Sequence, residues 1–305
     1  MDRTEFIRTS LLASSALFLK PNPDTNSTSD NKSTVSLSPK KHICMTCGTM
    51  YSSNTPLPEL CRICDDDRQF IGDNGQLWTS LEEMKHQYSI RIDQIAENFY
   101  DLRITPTFAI GQKAHLIISP SGNILWDCIP FIDEQTIGFI KSKGGLKAIV
   151  ISHPHFYSLM TVWAAAFDCP VYLHENDKEW RQDDSPYIHS WSGAEMKLWD
   201  DMRIVNTGGH FPGSSILSVP HVGAAGALFT GDSIYVCRDR KRVSFMHSFP
   251  NQIPLGKKEI EQIKSRVADL PFDAIYGAFE WAKIPQGGKE MFTRSVQRYL
   301  DILNG

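Results

Sequence analysis

The sequence predicts an α/β fold made of layers of sheet and helix. Strand-like runs alternate with helix-like segments through the middle of the chain, and this alternation is typical of α/β layer folds. A second series of strands follows, and the chain ends in an amphipathic helix. The first series is strand-like at 108–119 and 124–129, helical at 133–143, strand-like at 146–151, helical at 157–167 and strand-like at 170–174. The last helix places Phe292, Val296, Tyr299, Leu300 and Leu303 on one apolar face.

Length and charge limit the classes of function. A chain of 305 residues accommodates one large domain with a small module. The formal net charge of −4 gives no reason to expect nucleic acid as a partner. Apolar runs beyond the N-terminus are too short for a stable membrane span.

The N-terminal segment leaves two locations open. Residues 1–20 combine a basic start with an apolar run, as export signals do, and residues 3–8 resemble a twin-arginine signal with Thr4 replacing the second arginine. The alternative is an amphipathic helix on a cytoplasmic protein. Residues 21–40 are polar and predict a disordered linker.

Four cysteines form the first strong motif. Cys44 and Cys47 make one C-x-x-C pair, and Cys61 and Cys64 make another. Two such pairs predict a tetrahedral sulfur site for zinc, with iron as the alternative. Residues 41–72 resemble a zinc ribbon or a shortened rubredoxin, and a closed site of this kind is structural. Connecting helices are expected at 73–107, followed by the main domain at 108–305.

Histidines and a carboxylate follow three predicted strands. His153 and His155 come after a β-branched strand, His210 lies in a glycine loop, and Asp232 ends a later strand. Three imidazoles and one carboxylate suit zinc or ferrous iron and leave a position for water or substrate. The sequence therefore predicts a second metal site.

The same segments resemble the metallo-β-lactamase fold in order and spacing. Residues 152–158 (SHPHFYS) resemble the T-H-x-H-x-D-H motif, residues 208–213 the loop of the third histidine, and residues 229–232 the strand of the bridging aspartate. Trp126-Asp127 corresponds to the early strand that ends in aspartate. The resemblance implies a four-layer αββα sandwich with the site along one edge of its two sheets.

Departures from the family pattern fall on the ligands of a second metal. Tyr157 and Ser158 stand where that motif has Asp and His, and the late loop 277–279 (GAF) has no histidine. The resemblance therefore implies one metal at His153, His155, His210 and Asp232. Since the family's aspartate commonly handles the proton of the attacking water, another group must replace it. Asp232, Tyr157 and His174 are the candidate catalytic residues, and His247 is a further one.

Three functions remain open from the sequence. The first is a metal-dependent hydrolase in which zinc-bound hydroxide attacks an ester, thioester, lactone or amide of a small-molecule substrate. The second is a mononuclear iron oxygenase resembling the persulfide dioxygenases of the same superfamily. The third is a binding member of the fold that has lost catalysis, and the absence of the family's aspartate keeps this alternative open.

Overall fold

Two β-sheets face each other in the structure, and helices cover the outer side of each. The computed structural model describes residues 42–52 and 56–305. The predicted export segment (1–20) and linker (21–40) lie outside the described residues. Those that are described belong to one unit, Pro39–Gly305.

Short strands dominate the described part of the chain. The strands are β1 (Ile43–Cys44), β2 (Trp78–Thr79), β3 (Ser89–Ala96), β4 (Phe99–Thr105), β5 (Lys113–Ile117), β6 (Ile124–Trp126), β7 (Ala148–Val150), β8 (Val171–His174), β9 (Ile188–Trp191), β10 (Glu195–Lys197), β11 (Arg203–Asn206), β12 (Ser215–Val219), β13 (Ala227–Phe229), β14 (Tyr235–Val236), β15 (Val243–Ser244), β16 (Met246–Ser248), β17 (Ile253–Pro254), β18 (Ala274–Tyr276) and β19 (Lys283–Ile284). The α-helices are α1 (Leu81–Lys85), α2 (Glu134–Ser142), α3 (Met160–Phe167), α4 (Lys257–Val267) and α5 (Gly288–Asn304). Among the helices described, none is long and apolar enough to cross a membrane.

The larger sheet runs in chain order from β3 to β9. Its first four strands are antiparallel neighbours, and β6, β7, β8 and β9 are parallel. The smaller sheet has the order β10-β11-β12-β13-β18-β19 and is antiparallel except where β13 meets β18. The remaining strands form two-stranded pairs, β1 with β2, β14 with β15, and β16 with β17.

Three apolar clusters separate the layers. Trp163 of α3 and Ile140 of α2 pack on the outer face of the larger sheet. Trp126 and Phe229 lie in the cluster between the two sheets. Helices α4 and α5 cover the smaller sheet with a third cluster that includes Ile263. The predicted αββα sandwich is confirmed.

Local sequence signals explain several element boundaries. Asp133 caps α2 by accepting a hydrogen bond from the backbone of Thr136 at 2.7 Å, so this helix begins where the sequence predicts. The apolar face predicted for α5 is shorter than expected. Phe292, Val296 and Leu300 are buried, but Leu303 in the last turn is 40% exposed.

The prediction of connecting helices at 73–107 is wrong. The single helix described there is α1, which Ser80 and Glu83 close with a reciprocal capping box. Strands β3 and β4 follow and form the edge of the larger sheet. The physical reason is visible in residues 89–96, where apolar and polar side chains alternate with the period of a half-buried strand.

The four-cysteine module packs directly against the larger domain. Its strand β1 pairs with β2, beyond the predicted end of the module at residue 72. The backbone N–H of Met50 donates to the carbonyl of Ser158 at 3.1 Å. Gly48 has a φ of +82°, and a Cβ there would lie 2.4 Å from Pro130. A glycine is required because the ring of Pro130 leaves no room for a side chain and because the backbone has a positive φ.

Candidate metal centres

Three loops at one edge of the sandwich bring four ligand side chains together. His153 follows β7 and precedes a 3-10 turn, Pro154–Phe156, which carries His155. His210 lies between β11 and β12, and Asp232 follows β13. The N–H of Ser215 donates to the carbonyl of Ser152 at 3.0 Å and ties the loops of the two sheets together. These four residues are called the histidine cluster below.

The ligand atoms of the histidine cluster converge on one point. His210 Nε2 lies 3.2 Å from His155 Nδ1, and His153 Nε2 lies 3.5 Å from Asp232 Oδ2. One ligand atom from each of the four residues lies within 4.8 Å of all the others. The side chains are almost inaccessible, with exposures between 1% and 4%.

Hydrogen bonds on the far side of the rings orient their ligand nitrogens. His210 Nδ1 donates to the carbonyl of Met246 at 3.1 Å, because a carbonyl can only accept. This fixes the tautomer and turns a lone pair at Nε2 towards the cluster. His153 Nδ1 lies 2.8 Å from Ser152 Oγ, and its Nε2 is buried without a protein partner.

The environment favours uncharged imidazoles. Burial lowers the pKa of His155 well below its ordinary value. Burial also lowers the pKa of His210, to about 3, and the nearby His153 adds to this effect. Neutral imidazole is the form that binds a metal ion. Asp127 supports the same loop, since its Oδ1 accepts from the N–H of Ser152 at 2.7 Å.

The donor set fits a tetrahedral metal ion. Metal–nitrogen bonds of about 2.0–2.1 Å place tetrahedral ligand atoms about 3.3–3.4 Å apart. The separations of 3.2 and 3.5 Å match this value, and His210 Nε2 to Asp232 Oδ2 is 4.0 Å. The unpartnered Nε2 of His153 is a buried polar atom for which a cation would provide a partner.

The positions at which the resembled motif has ligands of a second metal have other partners in this structure. Ser158 Oγ accepts from Gln112 Nε2 at 3.0 Å and donates to the carbonyl of Cys128 at 3.4 Å. The carbonyl of Ala278 accepts from the N–H of Lys113 at 2.7 Å. Within the described residues, the groups that could hold a metal are the histidine cluster and the four cysteines.

Tyr157 and His174 have hydrogen-bond partners outside the ligand set. The hydroxyl of Tyr157 donates to the carbonyl of Asp177 at 3.3 Å. His174 Nδ1 accepts from the N–H of Asn176, its Nε2 lies 3.1 Å from the carbonyl of Gly193, and its ring packs edge-on against Trp191. These contacts give each residue a structural role, and their catalytic roles stay predictions.

The four cysteines form a closed and buried sulfur cage. Cys44 and Cys64 are separated by 3.7 Å between sulfurs, as are Cys47 and Cys61. Metal–sulfur bonds of about 2.3 Å give tetrahedral edges of about 3.8 Å, so the cage fits one tetrahedral metal ion. Gln76 Nε2 donates to Cys44 Sγ at 3.2 Å, and Tyr51 donates to Cys61 Sγ at 3.4 Å.

Sequence reasoning missed the residues that support the two clusters. Gln76 and Tyr51 approach the cage through the fold, without a motif to mark them. Arg68 donates from Nε to the carbonyl of His210 at 2.6 Å. The sequence marks Arg68 only by its position four residues after Cys64, and the aspartates beside it are typical of a solvent-exposed charged segment.

Comparison with known proteins agrees with this architecture. The chain is 42% identical over 267 residues to the uncharacterized protein YmaE of Bacillus subtilis (strain 168). The aligned region covers 86% of this chain and 97% of YmaE. No model of a known protein family matches the chain. A metallo-β-lactamase from Erythrobacter litoralis superposes on 68% of this chain and 96% of its own, with 13% identity and a TM-score of 0.52. FIM-1 from Pseudomonas aeruginosa, in its mono-zinc form, covers 69% of this chain and 96% of its own, with 14% identity and a TM-score of 0.50.

The chain therefore has the metallo-β-lactamase fold, with a metal-binding group of three histidines and an aspartate at the sheet edge and a four-cysteine cluster near the N-terminus. Its sequence places it in the same family as YmaE of Bacillus subtilis.

Proposed function

We propose that the protein is a mononuclear metal-dependent hydrolase acting on an ester, thioester, lactone or amide of a small molecule. The observation that carries the proposal is the convergence of four buried ligand atoms within 4.8 Å. A divalent ion held there would acidify a bound water and polarise a carbonyl oxygen, which is the chemistry of hydrolysis.

The protein's own groups provide orientation and proton handling. Asp232 turns Oδ2 towards the imidazoles, while its Oδ1 is buried and has no protein partner. This oxygen can accept a hydrogen bond from water that enters the cluster. Asp232 is therefore the candidate proton acceptor of the site, because Tyr157 directs its hydroxyl to a backbone carbonyl instead.

An aromatic surface beside the cluster suits an apolar substituent. The ring of Phe249 lies 5.6 Å from that of His210, and Tyr235 packs on Phe249 at 4.4 Å. Phe279 and Trp281 stack 5.0 Å apart next to Tyr235. These four side chains are partly exposed, in contrast to the fully buried Phe156 and Phe211. The hydrolysed substrate is expected to carry an apolar group.

Metal content and turnover test the proposal together. Elemental analysis of the full chain is expected to give about two metals per chain, and about one in the His153→Ala/His155→Ala variant. Zinc-loaded protein is expected to hydrolyse members of a panel of aryl esters, thioesters, lactones and amides, and the double variant is expected to lose this activity. His189→Ala is the matched control, because His189 is exposed on β9.

Two results would overturn the hydrolase. Iron at the histidine cluster with substrate-dependent consumption of dioxygen would favour the mononuclear oxygenase. Absence of turnover across the panel with the cluster fully loaded would favour a binding protein.

A further inference from the structure

Residues 65–70, called the strap below, run from the four-cysteine cage to the histidine cluster. Arg68 is the central contact of the strap. Its Nε donates to the carbonyl of His210 at 2.6 Å, and its Nη1 donates to Asp66 Oδ1 at 2.7 Å. The guanidinium lies over the ring of Phe211 at 4.4 Å, and the side chain is only 15% exposed. The contact with the aromatic ring and the two directed hydrogen bonds hold Arg68 in one orientation.

The strap is also attached to the β16–β17 hairpin, which orients the ring of His210. Asp67 Oδ1 pairs with His247 Nε2 of β16 at 2.9 Å. Asn251, between β16 and β17, donates from Nδ2 to the carbonyls of Asp67 and Gln69 at 2.8 and 3.2 Å. Strand β16 also supplies the carbonyl of Met246 that accepts from His210 Nδ1. His210 is thus held through its backbone by the strap and through its ring by the hairpin to which the strap is attached.

The cage fixes the beginning of the strap. The N–H groups of Cys64 and Asp65 both donate to the carbonyl of Cys61 at 2.9 Å, so the strap continues directly from the second cysteine turn. Four thiolates at these separations repel one another unless a cation joins them, so the shape of this turn depends on the metal in the cage.

We propose that Arg68 is a positioning residue through which the metal of the four-cysteine cage controls the metal affinity of the histidine cluster. This inference rests on the metal-binding part of the proposed function and does not depend on the reaction. The cage fixes the conformation of the strap, and the strap fixes the position of Arg68. Arg68 then holds the backbone of His210 where its Nε2 meets the other ligands. The four-cysteine module is then a regulatory support of the site, in addition to a structural one.

Cobalt binding to the full chain tests the proposal. The histidine cluster is cleared with a mild chelator, the retention of one zinc per chain is verified, and Co²⁺ is titrated in while its visible absorption is followed. Arg68→Ala is expected to weaken cobalt binding by roughly tenfold or more, as loss of an outer-sphere support of a metal ligand does. Arg68→Lys is expected to recover part of the affinity, because an ammonium keeps one donor for the carbonyl of His210.

Arg62→Ala is the matched control. Arg62 belongs to the same module and, like Arg68, lies over an aromatic ring, that of Trp180 at 5.5 Å. Its side chain is 53% exposed, however, and pairs with Glu179. This variant is expected to bind cobalt like the wild type. Equal affinities of Arg68→Ala and Arg62→Ala would overturn the proposal. If Arg68→Ala does not fold, Asp66→Asn tests the same contact, with a smaller loss of affinity expected and an unchanged affinity contradicting it.

A double variant tests the link to the cage. Cys64→Ser is expected to weaken cobalt binding at the histidine cluster, and adding Arg68→Ala to it is expected to weaken binding no further. If the double variant loses as much cobalt affinity as the product of the two single losses, the link between the cage and Arg68 is overturned. Failure of the proposed hydrolysis can be distinguished from failure of this inference. If the metal-loaded wild type shows no turnover but the variants show this pattern of cobalt affinities, the reaction is rejected and the role of Arg68 is retained.

Discussion

His210 Nε2 lies 3.2 Å from His155 Nδ1, and each of these nitrogens belongs to a buried imidazole with a lowered pKa. His210 already uses its proton at Nδ1, where it donates to Met246. The Nε2 lone pair of His210 therefore faces the other ring, and with His155 protonated at Nε2 a cation between the rings would bind both nitrogens.

Metal is therefore expected to stabilise the folded protein through the histidine cluster. An ion at a thousand times its Kd adds about 4 kcal/mol to the free energy of unfolding. Saturating zinc is expected to raise the melting temperature of protein cleared at this cluster, as measured by differential scanning calorimetry. The His153→Ala/His155→Ala variant, which keeps its four cysteines, should lack this increment, and an equal increment in the variant would place the ion elsewhere.

Removing the negative charge from the buried ion pair of Lys113 and Asp101 is expected to cause a large loss of stability. Lys113 Nζ lies 2.5 Å from Asp101 Oδ2, His115 contacts the other oxygen at 2.8 Å, and the Lys113 side chain is 2% exposed. Burial opposes ionisation of Asp101, but His115 and Lys113 hold its pKa below the ordinary value. Asp101→Asn leaves a buried ammonium without its counter-charge and is expected to cost about 3–5 kcal/mol in denaturant unfolding.

The control for this substitution is Glu290→Gln on α5. Glu290 pairs with Arg294 one turn away, with side chains 81% and 61% exposed. Its loss is expected to cost less than about 1 kcal/mol. Similar costs for the two variants would contradict the importance of burial at Asp101.

Asp177 predicts a pH dependence of stability. Burial raises the pKa of Asp177 to about 7 from an ordinary value of 3.8, although its carboxylate accepts from the N–H of Gly213. The native state then binds the proton more tightly than the unfolded state, so the contribution of Asp177 to stability falls as pH rises from about 4 to about 7. Asp177→Asn keeps the acceptor and removes the titration.

The variant and the wild type are compared by urea unfolding at several pH values. Near pH 4 the two are expected to have similar free energies of unfolding. Near pH 8 Asp177→Asn is expected to be more stable, by an amount on the order of 4 kcal/mol at most. A difference that does not change with pH would reject the raised pKa.

Gly231 lies where a side chain cannot fit. Its φ is +49°, and a Cβ there would lie 2.5 Å from Ser152 Oγ. Gly231→Ala is expected to displace Ser152 and the ring of His153, which lowers both stability and zinc affinity. Gly223→Ala isolates the backbone cost of about 1 kcal/mol, because Gly223 also has a positive φ of +75° but no neighbour within 4 Å. Equal losses at the two glycines would contradict the steric argument.

Tyr157→Phe separates a catalytic from a structural role. The variant loses one hydrogen bond to the carbonyl of Asp177 and is expected to lose about 0.5–1.5 kcal/mol of stability. Its zinc affinity and its kcat are expected to stay within about twofold of the wild type, because the hydroxyl is directed to a backbone carbonyl. A fall in kcat of a hundredfold with unchanged metal content would instead make Tyr157 catalytic.

Local patterns in the sequence were sufficient for much of the fold and for the ligand set. The alternation of strands and helices predicted the layered α/β architecture, and the resemblance predicted the αββα order. Strand ends followed by His153, His155, His210 and Asp232 predicted the metal group, because strand exits carry side chains to one sheet edge. The two C-x-x-C pairs predicted the four-cysteine cluster, because each such turn directs two sulfurs to one side.

The tertiary structure decided which strands pair, which side chains are buried and which hydrogen bonds they make. Residues 89–105 pair as two strands where the sequence predicts helix, because the sheet provides their hydrogen-bond partners. His115, which had no motif, is buried beside Asp101. Tyr157 stands where the resembled T-H-x-H-x-D-H motif has aspartate, but its hydroxyl is directed to the carbonyl of Asp177.

The sequence by itself therefore determined the kind of fold and the two groups of candidate metal ligands. The contact between Arg68 and His210 spans 142 positions of the chain, and only folding brings the two residues together. Ligand identity is a property of residue type and local spacing, which a sequence displays. Orientation, protonation and coupling between sites depend on burial and on distant partners, which exist only after the sheets have packed.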